Sequence, residues 1–192
     1  MSSTSAGEAG TPRNRRSLPR AAASRDARRW SVADALDHLR GFVAELAGFN
    51  GKSASLAIDA TPVLVTPDLI SAAVPALVQL LRNAITHGIE PPMERLMAGK
   101  PLGGALTLTA ELTAGALRFV VRDDGRGVDP TVAASGPEAL GRGIAGAIGR
   151  VSPLGGRITM LSGRPGAVSF ALTLPLPAVV RLASAQGTAG QE

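Results

Sequence analysis

Two short runs of alternating apolar residues, 106–112 and 117–122, constrain this chain more than anything else in it. They are separated only by Thr113-Ala114-Gly115-Ala116. Period-2 alternation marks strands, and so short a Gly-containing connection makes them a hairpin. Upstream the pattern changes. Val32, Leu36, Leu39, Phe42, Val43 and Leu46 recur at helical spacing after Ser31, a good N-cap with Asp34 three positions on. Thr66-Pro67-Asp68 is a second helix start, with a capping hydroxyl, Pro in the first turn and an acid beside it. That helical pattern runs to His87, and Pro75 is expected to divide it into a lead-in and a main helix. Residues 53–59, 63–65, 157–161 and 168–174 read as further strands, and 143–151 as a short helix stopped by Pro153 and Gly155-Gly156. The fold class that follows is α+β, a two-layer sandwich with helices on one face of a mixed sheet.

The net charge of +5 looks like a signal for nucleic acid until it is located. The first 29 residues hold seven arginines against Glu8 and Asp26, which accounts for all of it, while the remainder balances 13 basic groups against 13 acidic ones. The segment is Arg- and Ser-rich, as transit peptides are. However, Pro12, Pro19 and the lack of an apolar stripe make it a disordered basic tail. The expected organisation is a tail over 1–29, a folded domain over 30–180 and a flexible end over 181–192. Aromatics are only 3%, so little is offered for base stacking, and no nucleic-acid partner is expected. No apolar run is read as long enough for a membrane span. There is no cysteine, which excludes disulfides and thiolate metal sites and is compatible with a reducing compartment. The expected location is cytoplasmic.

Three segments carry chemistry. In the first, Gln79, Asn83 and His87 are four apart and line one helix face, with Leu77, Leu80, Leu81, Ala84 and Ile85 turned to the core. An Asn amide on a polar stripe suits a hydrated Mg²⁺, although a plain solvated face would look the same. In the second, Val120-Val-Arg-Asp-Asp-Gly-Arg-Gly-Val-Asp129, a strand ends in a carboxylate before two glycines. Asp123 has the character to accept an exocyclic amine, and Gly125 and Gly127 permit close backbone approach to a base or ribose. A tight turn or a calcium-loop fragment would share that look, but calcium ligands are missing at the required offsets. The third, Gly141-Arg-Gly-Ile-Ala-Gly146, opens a helix whose N-terminal N–H groups suit phosphate.

The run Asn83-Ala-Ile-Thr-His-Gly-Ile-Glu-Pro-Pro-Met-Glu-Arg-Leu-Met-Ala-Gly-Lys-Pro101 resembles the N-box and its extension in the ATP-binding catalytic domain of chemotaxis-type histidine kinases. These belong to the Bergerat (GHKL) ATPase superfamily. Residues 123–127 look like the family's first glycine box and Gly141-Arg-Gly143 like its second. Gly155-Gly156 and Leu172-Thr-Leu-Pro175 follow in order, so the resemblance covers roughly residues 32–177. It implies a Bergerat-type fold, ATP with Mg²⁺ as ligands, and phosphoryl transfer to a histidine on a partner domain. It also implies pathway partners: a histidine phosphotransfer domain or response-regulator proteins. By position it places Asn83 on Mg²⁺, Arg82 and His87 near the phosphates, and Asp123 on adenine with Gly125 and Gly127 beside it. Gly141, Arg142 and Gly143 would border the triphosphate, and His87 and Gln79 are the candidate catalytic residues.

The chain departs from the family pattern at several points. Gln79 stands where those kinases usually carry His, and Thr86 replaces an Asp. Ala145 replaces a glycine, and Gly166-Ala-Val168 replaces a Gly-Thr-Gly-Thr-like turn. Only eleven residues, 130–140, separate the glycine boxes, where the family has a longer ATP lid. Gln79 cannot act as a base near neutral pH. His38, on a helix and without a following acidic neighbour, reads as a surface histidine rather than a phosphoacceptor. The function expected is therefore an ATP-binding kinase module acting in trans. The alternative is a degenerate, non-catalytic nucleotide-binding regulatory module, and an ATPase or serine kinase of the wider superfamily is third.

Overall fold

The computed structural model describes residues 30–60, 64–113, 115–128, 141–162 and 167–176. The expectations for the tail, for residues 181–192 and for the segment 130–140 lie outside the described residues.

Among the described residues the first element is a two-residue strand β1 (Trp30–Ser31), which pairs antiparallel with β3 (Leu64–Val65), a ribbon the sequence did not announce. Helices α1 (Val32–Leu36) and α2 (Leu39–Phe49) stand where one helix was expected. The Ser31 hydroxyl accepts the Asp34 N–H, as read. The break falls at Asp37–His38 and keeps Val32, Leu36, Leu39, Val43 and Ala47 all on the core, while His38 is exposed. Arg40 braces the join, donating to Asp37 at 3.0 Å and to the Leu56 carbonyl at 2.6 Å.

Helix α3 (Pro67–Asn83) runs unbroken through Pro75, contrary to expectation. Proline removes one hydrogen bond to the carbonyl four residues back, here Ser71. Both residues are exposed, so the freed carbonyl is left to water, while Ile70, Ala73, Ala76, Leu77, Leu80 and Leu81 hold the helix to the core. The Thr66 side chain makes no capping bond, so Pro67 and Asp68 alone mark the start. From Ala84 to Gly88 the helix widens into a π turn, closed by the Ile89 N–H to the Ala84 carbonyl at 2.8 Å. The stretch Pro67–Gly88, with mean hydropathy 1.4, is by length and composition long and apolar enough to cross a membrane, which corrects the reading above. Here its apolar face is buried against the sheet and the last helix.

A short helix α4 (Pro92–Met97) follows, also unannounced in the sequence. Then come β4 (Gly104–Thr113) and β5 (Ala116–Asp123), the expected hairpin with Thr113 opposite Ala116. Helix α5 (Arg142–Val151), β6 (Arg157–Ser162) and β7 (Val168–Pro175) complete the fold. With β2 (Ala54–Ala60) they form a five-stranded sheet, ordered β2-β4-β5-β7-β6, in which only β2 and β4 run parallel. Alternation sends Leu106, Leu108, Leu117, Phe119 and Val121 under the helices and leaves Ala105, Thr107 and Arg122 on the open face. This is the two-layer α+β sandwich with a mixed sheet that the pattern indicated. Strand β5 is central, and its last residue, Asp123, lies between Leu106 and Val168.

Candidate functional site

At that end of β5 the fold leaves a cavity of about 470 Å³, within the size range of small-molecule sites. Asn83, Ala84, His87 and Gly88 from the π turn form one wall. Asp123, Gly127 and Val128 form the floor, and Gly141 and Val168 close the far side. The π turn is the device that makes the first wall. Its wider coil brings Asn83, His87 and the backbone of Gly88 onto one surface, and π turns recur at functional sites. Lys52 caps this turn from the α2–β2 connection, donating to the carbonyls of Ile85 at 2.7 Å and Thr86 at 2.9 Å. Partial burial, and then the nearby Arg126 charge, lower the Lys52 pKa, with Glu94 and Glu90 opposing. Changing Lys52 to Met is expected to cost about 1–2 kcal/mol by orphaning those carbonyls. Amide exchange should quicken over residues 84–89 in that variant.

Asp123 is 4% exposed, and burial pushes its carboxyl up to about 6. One oxygen, Oδ1, accepts the Gly125 N–H at 3.0 Å. Among the described residues no protein group donates to Oδ2. A buried carboxylate with one oxygen unspent, on a cavity floor, is a ready acceptor for an N–H donor from a ligand.

The glycines divide into two uses. Gly127 and Gly141, with φ of 88° and 101°, line the cavity in backbone conformations that side chains rarely adopt. Gly125 and Gly143 are spent on internal packing instead. A Cβ on Gly125 would overlap the Gly88 carbonyl, and one on Gly143 would overlap the Gln79 amide. Gly125 is therefore not on the cavity wall, and neither is Gln79, which lies across the start of α5. Arg82 is exposed, its guanidinium 5.8 Å from the centre of the Phe42 ring and away from the cavity lining. Arg142, the first residue of α5, is exposed and also absent from that lining. The structure thus gathers Asn83, His87, Asp123, Gly127 and Gly141, and leaves Gln79, Arg82, Gly125, Arg142 and Gly143 behind or beside the wall.

What residue-type reasoning missed is a buried ionic cluster behind the floor. Arg95, fully buried, donates to Glu90 at 3.0 Å, to both carboxylate oxygens of Asp124 at 3.2 and 2.8 Å, and to the Pro101 carbonyl at 2.7 Å. Lys100 donates to Glu90 at 2.7 Å and to the carbonyls of Asp124 and Gly125. Burial would raise the Glu90 carboxyl, but the bond from Lys100, with help from Arg95, holds it below the ordinary range. The signal for this cluster lay in the sequence, since Glu90, Arg95 and Lys100 are five apart. That spacing belongs to no helix or strand periodicity, so it carried no geometric reading. Among the described residues no group of three or more acidic, His or Cys side chains could hold a metal ion.

No family model matches the chain. It is 34% identical over 105 residues to the gliding motility regulatory protein of Myxococcus xanthus, a match covering 55% of this chain and 14% of that protein. It is 39% identical over 87 residues to the chemotaxis protein CheA of Salmonella typhimurium, covering 45% of this chain and 13% of that one. The chain thus matches only about a seventh of the length of either relative. Among solved structures, the mycobacterial sensor histidine kinase MprB superposes with a TM-score of 0.55 at 18% identity, over 77% of this chain and 97% of that one. Full-length ShkA in complex with AMPPNP superposes with a TM-score of 0.54 at 20% identity, over 78% of this chain and 31% of that one. At such identities the structural likenesses speak for the fold alone.

Proposed function

We propose that this chain, a histidine-kinase-type ATP-binding domain of the chemotaxis branch, binds ATP in the cavity at the end of β5 and donates its γ-phosphoryl group to a histidine on a partner domain. The observation that carries the reading is Asp123, a buried carboxylate at the cavity floor with one oxygen unspent among the described residues. Such a group fits the exocyclic amine of adenine, which donates where guanine and hypoxanthine present a carbonyl. Gly127 leaves the backbone open beside it, and Gly141 with the N-terminus of α5 offers N–H groups to the phosphates. ATP supplies the phosphoryl group and most of the ligands of its own Mg²⁺. Asn83, on the cavity wall, would hold that ion or one of its waters, since Mg²⁺ keeps several waters and needs few protein ligands. His87 stands on the same wall as a donor to phosphate oxygens.

Phosphoryl transfer depends on positioning and charge stabilisation more than on covalent participation by the protein. A domain with Gln79 in place of a basic residue is therefore compatible with transfer when the partner histidine is the nucleophile. The partners are the proteins of a phosphorelay, a histidine phosphotransfer domain or a response-regulator pathway, in a cytoplasmic setting.

Two measurements test this. Asn83→Ala is expected to weaken ATP binding by roughly tenfold with Mg²⁺ present and little without it, read by calorimetry. An equal loss in both conditions would make Asn83 a contact to the nucleotide rather than to the metal, and no loss in either would leave it a surface amide. With γ-labelled ATP the chain alone is expected to stay unlabelled, because exposed His38 lies at a helix junction and His87 on the cavity wall. A cognate phosphotransfer domain added in trans should acquire acid-labile label. Binding without transfer to any such domain would make the chain a regulatory module instead.

A further inference from the structure

We propose that Lys100 is a positioning residue for adenine recognition: its ammonium fixes the two peptide planes that aim the Asp123 carboxylate into the cavity. The inference rests on the nucleotide-binding reading above. It starts from where the ammonium donors go: to Glu90 Oε1 at 2.7 Å, to the Asp124 carbonyl at 3.0 Å and to the Gly125 carbonyl at 2.9 Å. Three donors meet three acceptors, which is the full capacity of an ammonium.

The two carbonyls belong to consecutive peptide units, and both units are trans. In a trans peptide the N–H points opposite to the C=O. The unit whose carbonyl faces Lys100 at Asp124 sends its Gly125 N–H to Asp123 Oδ1 at 3.0 Å. The next unit, whose Gly125 carbonyl faces Lys100, sends its Arg126 N–H to the Gly88 carbonyl at 3.0 Å. Arg95 also reaches the Asp124 carbonyl, at 3.5 Å, but the shorter bond there and the bond to the Gly125 carbonyl both come from Lys100, whose ammonium thus orients both N–H groups that hold the floor and the adjoining wall of the cavity. That ammonium also polarises those amides, which strengthens them as donors. Nothing lies between the Gly125 and Gly88 backbones, because a Cβ on Gly125 would overlap the Gly88 carbonyl. A small rotation of the first plane therefore shifts the donor on Asp123 Oδ1, and one of the second shifts the Gly88 wall against it.

Charge enters the same geometry. Asp124 on the turn and Glu90 behind it both push the Asp123 carboxyl up, after burial itself, while Lys100 pulls it down along with the Gly125 N–H. Arg95 is engaged with Glu90 and Asp124, Arg126 pairs with Glu94 at 3.2 Å, and His87 is exposed across the cavity. Without Lys100 the repulsion from Glu90 and Asp124 would act on Asp123 unopposed by that cation.

The test uses the full chain and two probes, ADP and IDP, the second lacking the exocyclic amine. Wild type is expected to prefer ADP. Lys100→Met should lose about tenfold in ADP affinity with little change for IDP, so that the preference collapses. In ligand-free protein, the carboxyl carbon resonance of Asp123 should titrate with a higher midpoint than in wild type. Lys100→Arg, which keeps the charge, should recover most of the preference. If Lys100→Met does not fold, Lys100→Gln is measured in the same way with the same expectation. Equal weakening toward both nucleotides, or an unchanged ratio with an unchanged Asp123 midpoint, would overturn the proposal and leave Lys100 a structural ion-pair partner. A wild type that does not separate ADP from IDP would instead overturn the assignment of Asp123 to adenine, and this proposal with it.

Discussion

Replacing Arg95 with methionine is expected to lower the stability of the domain by about 3 kcal/mol, or roughly 10 °C in melting temperature. The expectation follows from what the guanidinium leaves behind. Arg95 has a side chain with no exposure and bridges Glu90, itself 6% exposed, to Asp124, which is 40% exposed. Removing one member of a buried pair strands the other charge, and that cost usually runs to 3–5 kcal/mol. Two features hold it to the lower end. Lys100 still neutralises Glu90, and the Asp124 carboxylate reaches water and keeps the Ala105 N–H at 2.9 Å. The Pro101 carbonyl also loses its donor. Because Lys100 still pairs with Glu90, adding Glu90→Gln should not reverse the loss, as urea melts of the single and double variants would show. A change under 1 kcal/mol for Arg95→Met alone would show that water replaces the guanidinium and that the cluster is not a dry one.

The sequence allowed the sandwich, the strand running into Asp123 and a short helix over 143–151, one residue inside the observed start, to be read in advance, and for one reason. Each depends on a local rule: a period of two, a carboxylate before glycine, a glycine cluster opening a helix. The features that escaped depend on what lies across the fold. Pro75 was expected to cut α3, because the rule concerns one lost hydrogen bond, whereas six buried apolar residues on the same helix outweigh it. The π turn at Ala84–Gly88 has no residue signature, and it is held from across the fold by the Lys52 ammonium and the Arg126 N–H on its carbonyls. Gly125 was read as a place where the backbone approaches a ligand closely, and Gly143 as a phosphate-facing N–H at a helix start. Their neighbours are Gly88 and Gln79 rather than a ligand, and sequence spacing cannot say which partner comes close. The run from Glu90 to Lys100 supported a family resemblance through its letters alone, and its physical task, clamping the turn after Asp123, needed coordinates.

Asp123→Asn is expected to make the ligand-free domain more stable while weakening adenine-nucleotide binding by one to two decades. The two effects share one cause. The Asp123 carboxyl titrates near 6 instead of the usual 3.8, chiefly because burial disfavours its charged form. A group whose folded pKa lies above its unfolded value contributes stability fully only below that unfolded value. The contribution fades as pH rises from about 4 through about 6, so at neutral pH the ionised carboxylate is a liability of about 2–3 kcal/mol. Asparagine presents the same oxygen to the Gly125 N–H without the charge, so it should recover much of that energy at pH 7 and almost none at pH 4. Binding moves the other way. Exchanging a charge-assisted bond for a neutral one costs roughly 1.5–3 kcal/mol, and the Asn amine offers a donor where adenine also presents one. In the wild type the same titration should make ATP affinity fall as pH drops below about 6, as the carboxylate takes up its proton. Urea melts at the two pH values and calorimetry at pH 7 check both halves. An Asn variant destabilised equally at pH 4 and pH 7 would mean that the carboxylate is a structural anchor. Stabilisation at pH 7 with undiminished ATP binding would mean that its charge faces something other than the adenine amine.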